Sequence, residues 1–170
     1  MASTSTSAST TAVSFEKKLR KYMKILNDFS HKTSWYPDFD KLELSIESAS
    51  ETPIPTVSFR FKVIDELCGV AGILHGGCMV LLVDDLTTVL LGAVSKPGLF
   101  SRYGASKNLN TTFIRPLALG DEARIVSEVE YFGKRRAVLR AKLYRVEGNE
   151  LCAILENDRA NTDPPTLSKL

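Results

Sequence analysis

The sequence has few of the residues that build metal centres and disulfide frameworks. It contains two histidines and three cysteines in 170 residues, and no pair of cysteines has the CxxC spacing. A multi-histidine metal site is therefore not expected, and the pattern predicts no metal. The three cysteines are typical of buried thiols in a reducing compartment, which favours a cytoplasmic protein.

A strong charge bias is also absent. The 22 basic and 20 acidic residues leave a net charge of +2, which gives no drive toward nucleic acid or a membrane surface. The longest apolar stretch is interrupted by two acids and two threonines. A membrane span needs about 20 mostly apolar residues, so no transmembrane helix is predicted. The expected partner is a small molecule, without nucleic acid or membrane.

The first thirteen residues, MASTSTSASTTAV, lack a bulky apolar run, acids and arginine. We predict that 1–13 is disordered, because such a segment cannot bury enough apolar surface to order itself. Mitochondrial transit peptides also lack acids, but they are rich in arginine, so mitochondrial targeting is only the alternative to a cytoplasmic location.

Period-two and helical patterns fill the rest of the chain and predict one domain over 14–160. An amphipathic helix begins at Ser14 and is expected to pack on the domain's own sheet. Alternating apolar residues predict six strands. The chain is expected to leave the sheet at Asn157, and 161–170 should be a loose tail. His31 has no metal-like partner nearby and is interpreted as a surface or cap residue. The predicted strands cover 42–47, 57–63, 103–113, 122–131, 136–143 and 151–155.

The stretch from Gly72 to Ala93 predicts a helix that follows a loop ending at Leu74 and itself ends near Gly92. This helix is apolar on nearly all sides and should be buried. The glycines of His75-Gly76-Gly77 at its start let the backbone approach a ligand and present free N–H groups at the positive end of the helix dipole. Asp84 and Asp85 interrupt its apolar surface, and a buried carboxylate is costly unless it is paired or hydrogen-bonded. The acids and the glycine pair are therefore the first functional candidates.

This order of elements predicts an α+β fold in which a curved antiparallel sheet wraps around the central helix. The open edges of such a sheet favour a dimer that continues it. Three motifs carry a family resemblance over about 55–160. They are His75-Gly76-Gly77 with Asp84 nine residues after the histidine, Asn110-Thr111-Thr112-Phe113 with Arg115-Pro116, and Gly120-Asp121. The chain resembles hotdog-fold acyl-CoA thioesterases of the phenylacetate type and of the thioesterase superfamily member 2 type.

The resemblance implies a homodimer, or a tetramer made of two dimers, with active sites at the subunit interface. The N–H of Gly76 would polarise the thioester carbonyl, and Asp84 of the partner subunit would act as general base or as nucleophile. Ser106 would assist the water or the acid. Coenzyme A would be part of the substrate, with no separate cofactor. The substrate-binding positions that the resemblance suggests are Gly77, Gly69, Asn110, Lys134 and Arg135, the last two on a basic turn that would meet the phosphates of coenzyme A.

Structural alternatives exist for several of these residues. Asp84 could be a structural acid in the core, and the basic turn at Lys134 could be a solvated hairpin. His75 is interpreted mainly as orienting the glycine turn, with catalysis as the alternative. Asp85 is expected to satisfy a local donor such as Thr88.

One position departs from the resembling family, which usually has Asn or Gln where this chain has Gly69. The missing amide motivates a second hypothesis. In that hypothesis the chain is a hotdog protein without thioesterase activity, which binds an acyl or polyketide-like ligand or catalyses an isomerisation or dehydration. A third hypothesis is a purely structural dimerisation module, which predicts no buried slot beside Asp84.

Overall fold

A computed structural model describes residues 5–32 and 37–164, with side chains described from Ser14 onward. The two helices are α1 (Ser5–Ser30) and α2 (Gly76–Val94), and short 3-10 turns lie at Asp65–Leu67 and Glu147–Asn149. The strands are β1 (Ser45–Ser50), β2 (Thr56–Lys62), β3 (Ala105–Phe113), β4 (Glu122–Phe132), β5 (Arg136–Arg145) and β6 (Glu150–Ala160).

The six strands form one sheet in the order β1-β2-β4-β5-β6-β3, and every neighbouring pair is antiparallel. The central helix α2 packs against strands from β2 to β6. Most of its apolar side chains are buried, including Leu82, Val83 and Leu86. The predicted α+β hotdog architecture, an antiparallel sheet wrapped around a long central helix, is confirmed.

Strand β4 illustrates how the sequence builds two different faces of the sheet. Ala123, Ile125 and Val129 are buried against the core, as period-two alternation requires. On the opposite face, Arg124 and Arg60 of β2 both form ion pairs with Glu47 of β1. These contacts lower the pKa of the Glu47 carboxyl, with the hydrogen bond from Arg124 as the main cause.

Strand β1 begins later than predicted, at Ser45 rather than Leu42. Glu43 has a φ of 53°, in the left-handed region that interrupts an extended strand. Leu42 is nevertheless buried, and its carbonyl accepts a hydrogen bond from the Lys62 N–H. The predicted hairpin of the first two strands is confirmed with this shift in its start.

Helix α1 begins at Ser5, so 5–13 are helical where the sequence predicts a disordered segment, while 1–4 lie outside the described residues. This segment contains neither glycine nor proline, the two residues that interrupt a helix most strongly. The helix packs mainly on α2 and touches β1, rather than lying on the sheet as predicted. A Cβ at Gly92 of α2 would lie 2.8 Å from the ring of Tyr22, so this glycine permits the close contact between the helices.

The C-terminal region corrects two further predictions. Strand β6 continues to Ala160, so the chain does not leave the sheet at Asn157. The next residues are also fixed: Asn161 donates to the backbone oxygens of Lys134 and Arg135, and the Asp163 carboxylate accepts hydrogen bonds from the Ser101 and Arg102 N–H groups. The prediction of a loose tail is therefore wrong for 161–164, and 165–170 lie outside the described residues.

Helix α2 is long and apolar enough to cross a membrane by length and composition alone. However, 56% of its most apolar window is buried inside the fold, and the sheet wraps around it. Core helices of folded domains share these properties, so its composition is explained by its position in the core.

Candidate active site

The N-terminus of α2 is capped by the side chain of His75. His75 has extended backbone angles (φ −64°, ψ 133°), and its Nδ1 accepts a hydrogen bond of 3.1 Å from the Gly77 N–H. Such a cap satisfies one of the N–H groups that a helix start leaves without a partner. The contact agrees with the structural role expected for His75, while a part in catalysis stays a prediction.

The cap binds the N–H of only one of the two glycines, Gly76 and Gly77. The Gly77 N–H is bound by His75, whereas the hydrogen bonds of the described residues give the Gly76 N–H no acceptor. A Cβ at Gly76 would lie 3.2 Å from the ring of Phe113, so glycine allows that ring to approach. Of the two N–H groups, the Gly76 N–H is the one free to meet a carbonyl oxygen, with the helix dipole behind it.

A groove of about 350 Å³ lies beside this N–H. It combines an apolar wall with one cation, which suits a ligand that has both an apolar and an anionic part. The side chains of Phe113 and Ile114 at its rim are 55% and 42% exposed, so the groove opens at the surface. The lining residues are Ile73, Leu74, Gly76, Met79, Phe113, Ile114, Arg115 and Pro116.

Asp84 lies two turns further along α2 and is held by three donors on one oxygen. Its Oδ1 accepts hydrogen bonds from the Ser106 hydroxyl (2.9 Å), the Asn157 amide (2.9 Å) and the Arg159 guanidinium (2.7 Å). Asp84 is therefore paired and hydrogen-bonded, as its position on a buried helix requires. Its side chain is still 30% exposed, so the carboxylate remains accessible from one side.

Buried groups on α2 and β6 support this carboxylate. The Asn157 amide also donates to the Thr87 hydroxyl at 2.9 Å, and that hydroxyl lies within hydrogen-bonding distance of the carbonyls of Val83 and Asp84. The Asn157 Oδ1 has no hydrogen-bond partner among the described residues. A network of this kind fixes side-chain positions because each buried polar group has few alternative partners.

Arg159 is the charged member of the network and only 6% exposed. Burial lowers the pKa of its guanidinium, and the neighbouring Asp84 carboxylate opposes that effect. Arginine nevertheless stays protonated in proteins, so the pair is ionic. Removing one partner of a buried ion pair typically costs about 3–5 kcal/mol, and the partial exposure of Asp84 places this pair toward the lower end.

Thr88, the donor suggested for Asp85, binds a different group. The Thr88 hydroxyl donates to the backbone carbonyl of Asp84 at 2.7 Å and not to the Asp85 carboxylate. Asp85 instead lies in the wall of an apolar cavity of about 210 Å³ between α1 and α2, which Tyr103 also lines. The two neighbouring acids of the helix therefore face different surroundings.

The other predicted substrate-binding residues lie outside the Asp84 network. Asn110 is exposed on β3, opposite Glu156 of β6. Lys134 and Arg135 are exposed in the turn between β4 and β5. Among the described residues, these two form hydrogen bonds only through their backbone carbonyls, which accept from Asn161. A role for them stays a prediction, as does the alternative of a solvated hairpin.

Gly69 lies in the loop before α2, where its N–H donates to the Ile73 carbonyl at 2.8 Å. A Cβ at this position would have its nearest neighbours at 3.9 Å, the His75 ring and the Ile73 carbonyl. A Cβ at this position would therefore make only ordinary van der Waals contacts.

Asn157 and Arg159 are site residues that the sequence patterns did not predict. A pattern was present: Ala153, Leu155, Asn157 and Arg159 share one parity, and all four are buried on the inner face of β6. The polar run Glu156–Arg159 hides this pattern, because inward polar residues lack the apolar signature of a strand. An acid on a buried helix needs donors from a facing element, and that requirement is the signal that could have identified them.

The cysteines are not arranged as nucleophiles. All three are free; Cys152 is buried, and Cys68 and Cys78 are half-buried. Burial is the main cause that raises the pKa of each thiol. A reactive cysteine requires the opposite shift, toward the thiolate.

One cluster among the described residues has metal-ligand types. The ligand atoms of His31, Asp38 and Asp40 lie within 4.8 Å of one another, so the interpretation that His31 has no metal-like partner nearby is wrong. These atoms already bind each other and Asn27: His31 lies 3.2 Å from Asp40, and Asp38 accepts from the Asp40 N–H. Such contacts are common at exposed acids and do not define a metal centre.

Comparisons with known proteins agree with this architecture. Residues 71–152 match the family model described as Thioesterase superfamily. The chain is 26% identical over 140 residues to acyl-coenzyme A thioesterase 13 of Mus musculus, covering 82% of this chain and 91% of that protein.

Two solved structures share the fold. Thioesterase superfamily member 2 from Mus musculus has a TM-score of 0.68 and 24% identity, covering 85% of this chain and 95% of the other. A hypothetical thioesterase protein with coenzyme A from Streptococcus pneumoniae has a TM-score of 0.62 and 18% identity, covering 74% and 91%. The predicted resemblance is confirmed: the chain is a hotdog-fold protein whose residues 71–152 have the sequence pattern of the Thioesterase superfamily.

Proposed function

We propose that the protein is a thioester hydrolase acting on acyl-CoA substrates, with Asp84 as general base and the Gly76 N–H as the group that polarises the carbonyl. The carboxylate held by three donors carries this proposal. It is an accessible acid on a core helix, which suits a general base. The Gly76 N–H at the start of α2 is a suitable oxyanion donor. The activity named for the similar mouse thioesterase supports the same class.

The reaction follows from these two groups. Asp84 Oδ2 takes a proton from water while the water oxygen bonds to the thioester carbon, and negative charge develops on the carbonyl oxygen opposite the Gly76 N–H. The tetrahedral species then reforms the carbonyl and breaks its C–S bond, and the proton on Asp84 passes to the leaving sulfur. The products are a carboxylic acid and free coenzyme A. If Asp84 acts as nucleophile instead, Oδ2 bonds to the thioester carbon and the C–S bond breaks, which gives a mixed anhydride and the coenzyme A thiolate. Water then cleaves the anhydride into the carboxylic acid and protonated Asp84, whose proton passes to the thiolate.

One subunit cannot supply both groups to one substrate. Gly76 and Asp84 are eight residues apart on one helix, which separates them by about 12 Å along its axis. A thioester carbon and its attacking water require donors and base within about 3 Å of the reacting atoms. We therefore propose a homodimer, alone or paired into a tetramer, in which each site uses Gly76 of one subunit and Asp84 of the other.

The sheet has an edge that suits such a dimer. Strand β3 lies at the end of the sheet, and most of its residues are exposed. An unpaired edge of nine residues is a template for a second strand. Ser106 of the Asp84 network lies on this strand, so pairing two copies here would place the network near the partner. A cytoplasmic location is part of the same proposal and rests on the composition alone.

The test is thiol release from a panel of acyl-CoAs that differ in chain length and aromatic character. We expect Asp84→Ala to lower kcat by at least about 100-fold, the usual contribution of a general base. The matched control is Asp158→Ala, which removes another carboxylate that accepts from an arginine, Arg136, at 2.7 Å. Equal hydrolysis by Asp84→Ala and the unaltered protein would remove Asp84 from the reaction.

A second candidate function is ligand binding, or an isomerisation or dehydration, without hydrolysis. The absence of an amide at Gly69 favours it, because the site then has one donor fewer for the carbonyl or the water. Gly69→Asn distinguishes the two, since a Cβ at this position would have its nearest neighbours at 3.9 Å. A gain of about 10- to 100-fold in hydrolysis supports the thioesterase. Absence of hydrolysis in both forms, together with tight acyl-CoA binding, supports the second candidate.

A further inference from the structure

Arg159 has no part in the proton transfers described above, yet it is a buried cation beside the proposed base. It is almost completely buried, and burial lowers the pKa of its guanidinium. A guanidinium in such a place is costly unless its N–H groups are bound. Its partners therefore indicate what it does.

The guanidinium is directed at protein groups on two sides. Its Nη1 donates to Asp84 Oδ1 at 2.7 Å and to Ser106 Oγ at 2.9 Å. On the other side, its Nε donates to the Tyr103 carbonyl at 3.1 Å and its Nη2 to the Gly104 carbonyl at 3.3 Å. Four of the five N–H donors of an arginine are thus occupied, which leaves little capacity to bind a substrate anion.

The two carbonyls belong to a backbone segment with unusual geometry. Tyr103 and Gly104 both have left-handed φ angles, 65° and 64°. A Cβ at Gly104 would lie 2.4 Å from the Ala160 carbonyl oxygen, so only glycine fits there. This segment leads into β3, and its path determines where Ser106 lies. Arg159 therefore connects the base, its serine partner and the segment that positions the serine.

We propose that Arg159 is a positioning residue, which directs the Asp84 carboxylate so that Oδ1 stays bound to the protein and Oδ2 faces the reacting water. This inference rests on the proposed function. Ser106 and Asn157 bind the same oxygen, and the arginine adds the charge that keeps the carboxylate in place. Base and water then need no reorientation during the reaction, which is the advantage of a fixed geometry.

The experiment compares Arg159→Met and Arg159→Lys in acyl-CoA hydrolysis. Methionine removes the charge and every donor, and we expect kcat to fall about 100-fold with KM changed less than about twofold, because the substrate does not touch this residue. Lysine keeps the charge but cannot reproduce the forked contacts. We therefore expect the kcat of Arg159→Lys to be about tenfold higher than that of Arg159→Met and about tenfold lower than that of the unaltered protein.

Arg136→Met is the matched control. Arg136 also pairs with an aspartate at 2.7 Å, on the neighbouring strand, but its side chain is 56% exposed and lies outside the network. It should retain the kcat of the unaltered protein. Thermal unfolding of each variant shows whether it folds, and if Arg159→Met does not, Arg159→Lys decides the question by its kcat.

Two results would overturn the inference while leaving the hydrolase intact: an unchanged kcat in Arg159→Met or in Arg159→Lys, or a fall in kcat/KM that comes from KM alone. If the unaltered protein hydrolyses no acyl-CoA, the proposed function fails, and a crystal structure of Arg159→Lys decides the positioning role separately. The role then requires that the Asp84 carboxylate leave its position against Ser106 and Asn157. A carboxylate that stays in place contradicts it.

Discussion

The oxygen atoms of Asp84 have different tasks. Oδ1 receives three hydrogen bonds from two strands and is committed to the protein, which leaves Oδ2 as the atom available to a water molecule. The three donors act on one acceptor, so their effects on its position are not independent. Residues that share a partner in this way act as a unit.

This sharing gives a prediction for a double-mutant cycle. Ser106→Ala and Asn157→Ala should each lower kcat by about tenfold or more, because each removes a hydrogen bond to a charged acceptor. The double variant should lose less than the product of the two, since the carboxylate is already released in either single variant. The measurement is kcat for one acyl-CoA at saturation.

Ser101→Ala is the control for this cycle. Its hydroxyl binds Asp163 at 2.8 Å, on the segment that precedes β3, and does not contact Asp84. It should have the kcat of the unaltered protein. Strictly multiplicative losses in the double variant would mean that Ser106 and Asn157 act through separate groups.

Among the elements, the C-terminal segment after β6 has a structural function. Asp163 accepts hydrogen bonds from the Ser101 N–H (2.7 Å), the Ser101 hydroxyl (2.8 Å) and the Arg102 N–H (2.9 Å). Partial burial opposes ionisation of this carboxyl, but the hydrogen bonds from Ser101 and Arg102 prevail and lower its pKa from 3.8. The segment therefore holds the loop that leads into β3.

The lowered pKa predicts how this contact depends on pH. A carboxyl whose folded pKa lies below its unfolded value contributes stability that is complete above the unfolded value, 3.8, and is lost as the pH falls through the folded one. Asp163→Ala should thus unfold at a lower temperature than the unaltered protein at neutral pH. The difference in Tm should shrink as the pH falls below 3.8 and through the lowered pKa of the folded protein.

Scanning calorimetry between neutral and acid pH measures both proteins. Glu66→Ala serves as the comparison, because Glu66 forms an exposed ion pair with Lys41 far along the chain from this loop, and exposed pairs contribute little. A Tm difference for Asp163→Ala that does not change with pH would show that Asp163 stabilises the fold without being ionised.

Sequence patterns were sufficient for the elements whose residues alternate between core and solvent. Strands β2, β4 and β5 and the buried helix follow from their periodicity, because apolar residues mark the inner face. The end of β6 could not be found in this way, since its inward residues Asn157 and Arg159 are polar. Their place is decided by Asp84 across the core, a long-range contact that a local pattern does not contain.

The candidate site was predictable only in part for the same reason. Gly76 and Asp84 stand out because glycines open the helix and an acid interrupts its apolar surface, both visible in one segment. The contact of Ser106 with Asp84 came from the family resemblance and is present in the structure at 2.9 Å. The unequal state of the Gly76 and Gly77 N–H groups depends on the orientation of the His75 ring, which spacing does not specify.

For the whole molecule, the proposed exchange of groups between subunits can be tested by mixing two inactive variants. Asp84→Ala lacks the base, and Gly76→Val adds a bulky side chain beside the proposed oxyanion N–H, with its Cβ 3.2 Å from the ring of Phe113. In a mixed dimer one site has both defects and the other has neither. After unfolding and refolding an equal mixture, half of the dimers are mixed, and about a quarter of full activity should return.

The same two variants refolded separately are the control, and each should stay inactive. A mixture no more active than its components would place both groups in one subunit or exclude one of them from the reaction. Size-exclusion chromatography of the refolded samples confirms that the subunits have associated.

Asn161 and Asp163 bind two loops that are far apart in the sequence, which has a practical consequence for producing the protein. A truncation before Asn161 would free the β4–β5 turn and the approach to β3 together, so a shortened form loses order at the one end of the sheet where β6 ends and where β5 and β3 begin. Affinity tags and fluorescent fusions therefore belong after Pro164, where they leave these contacts unbroken.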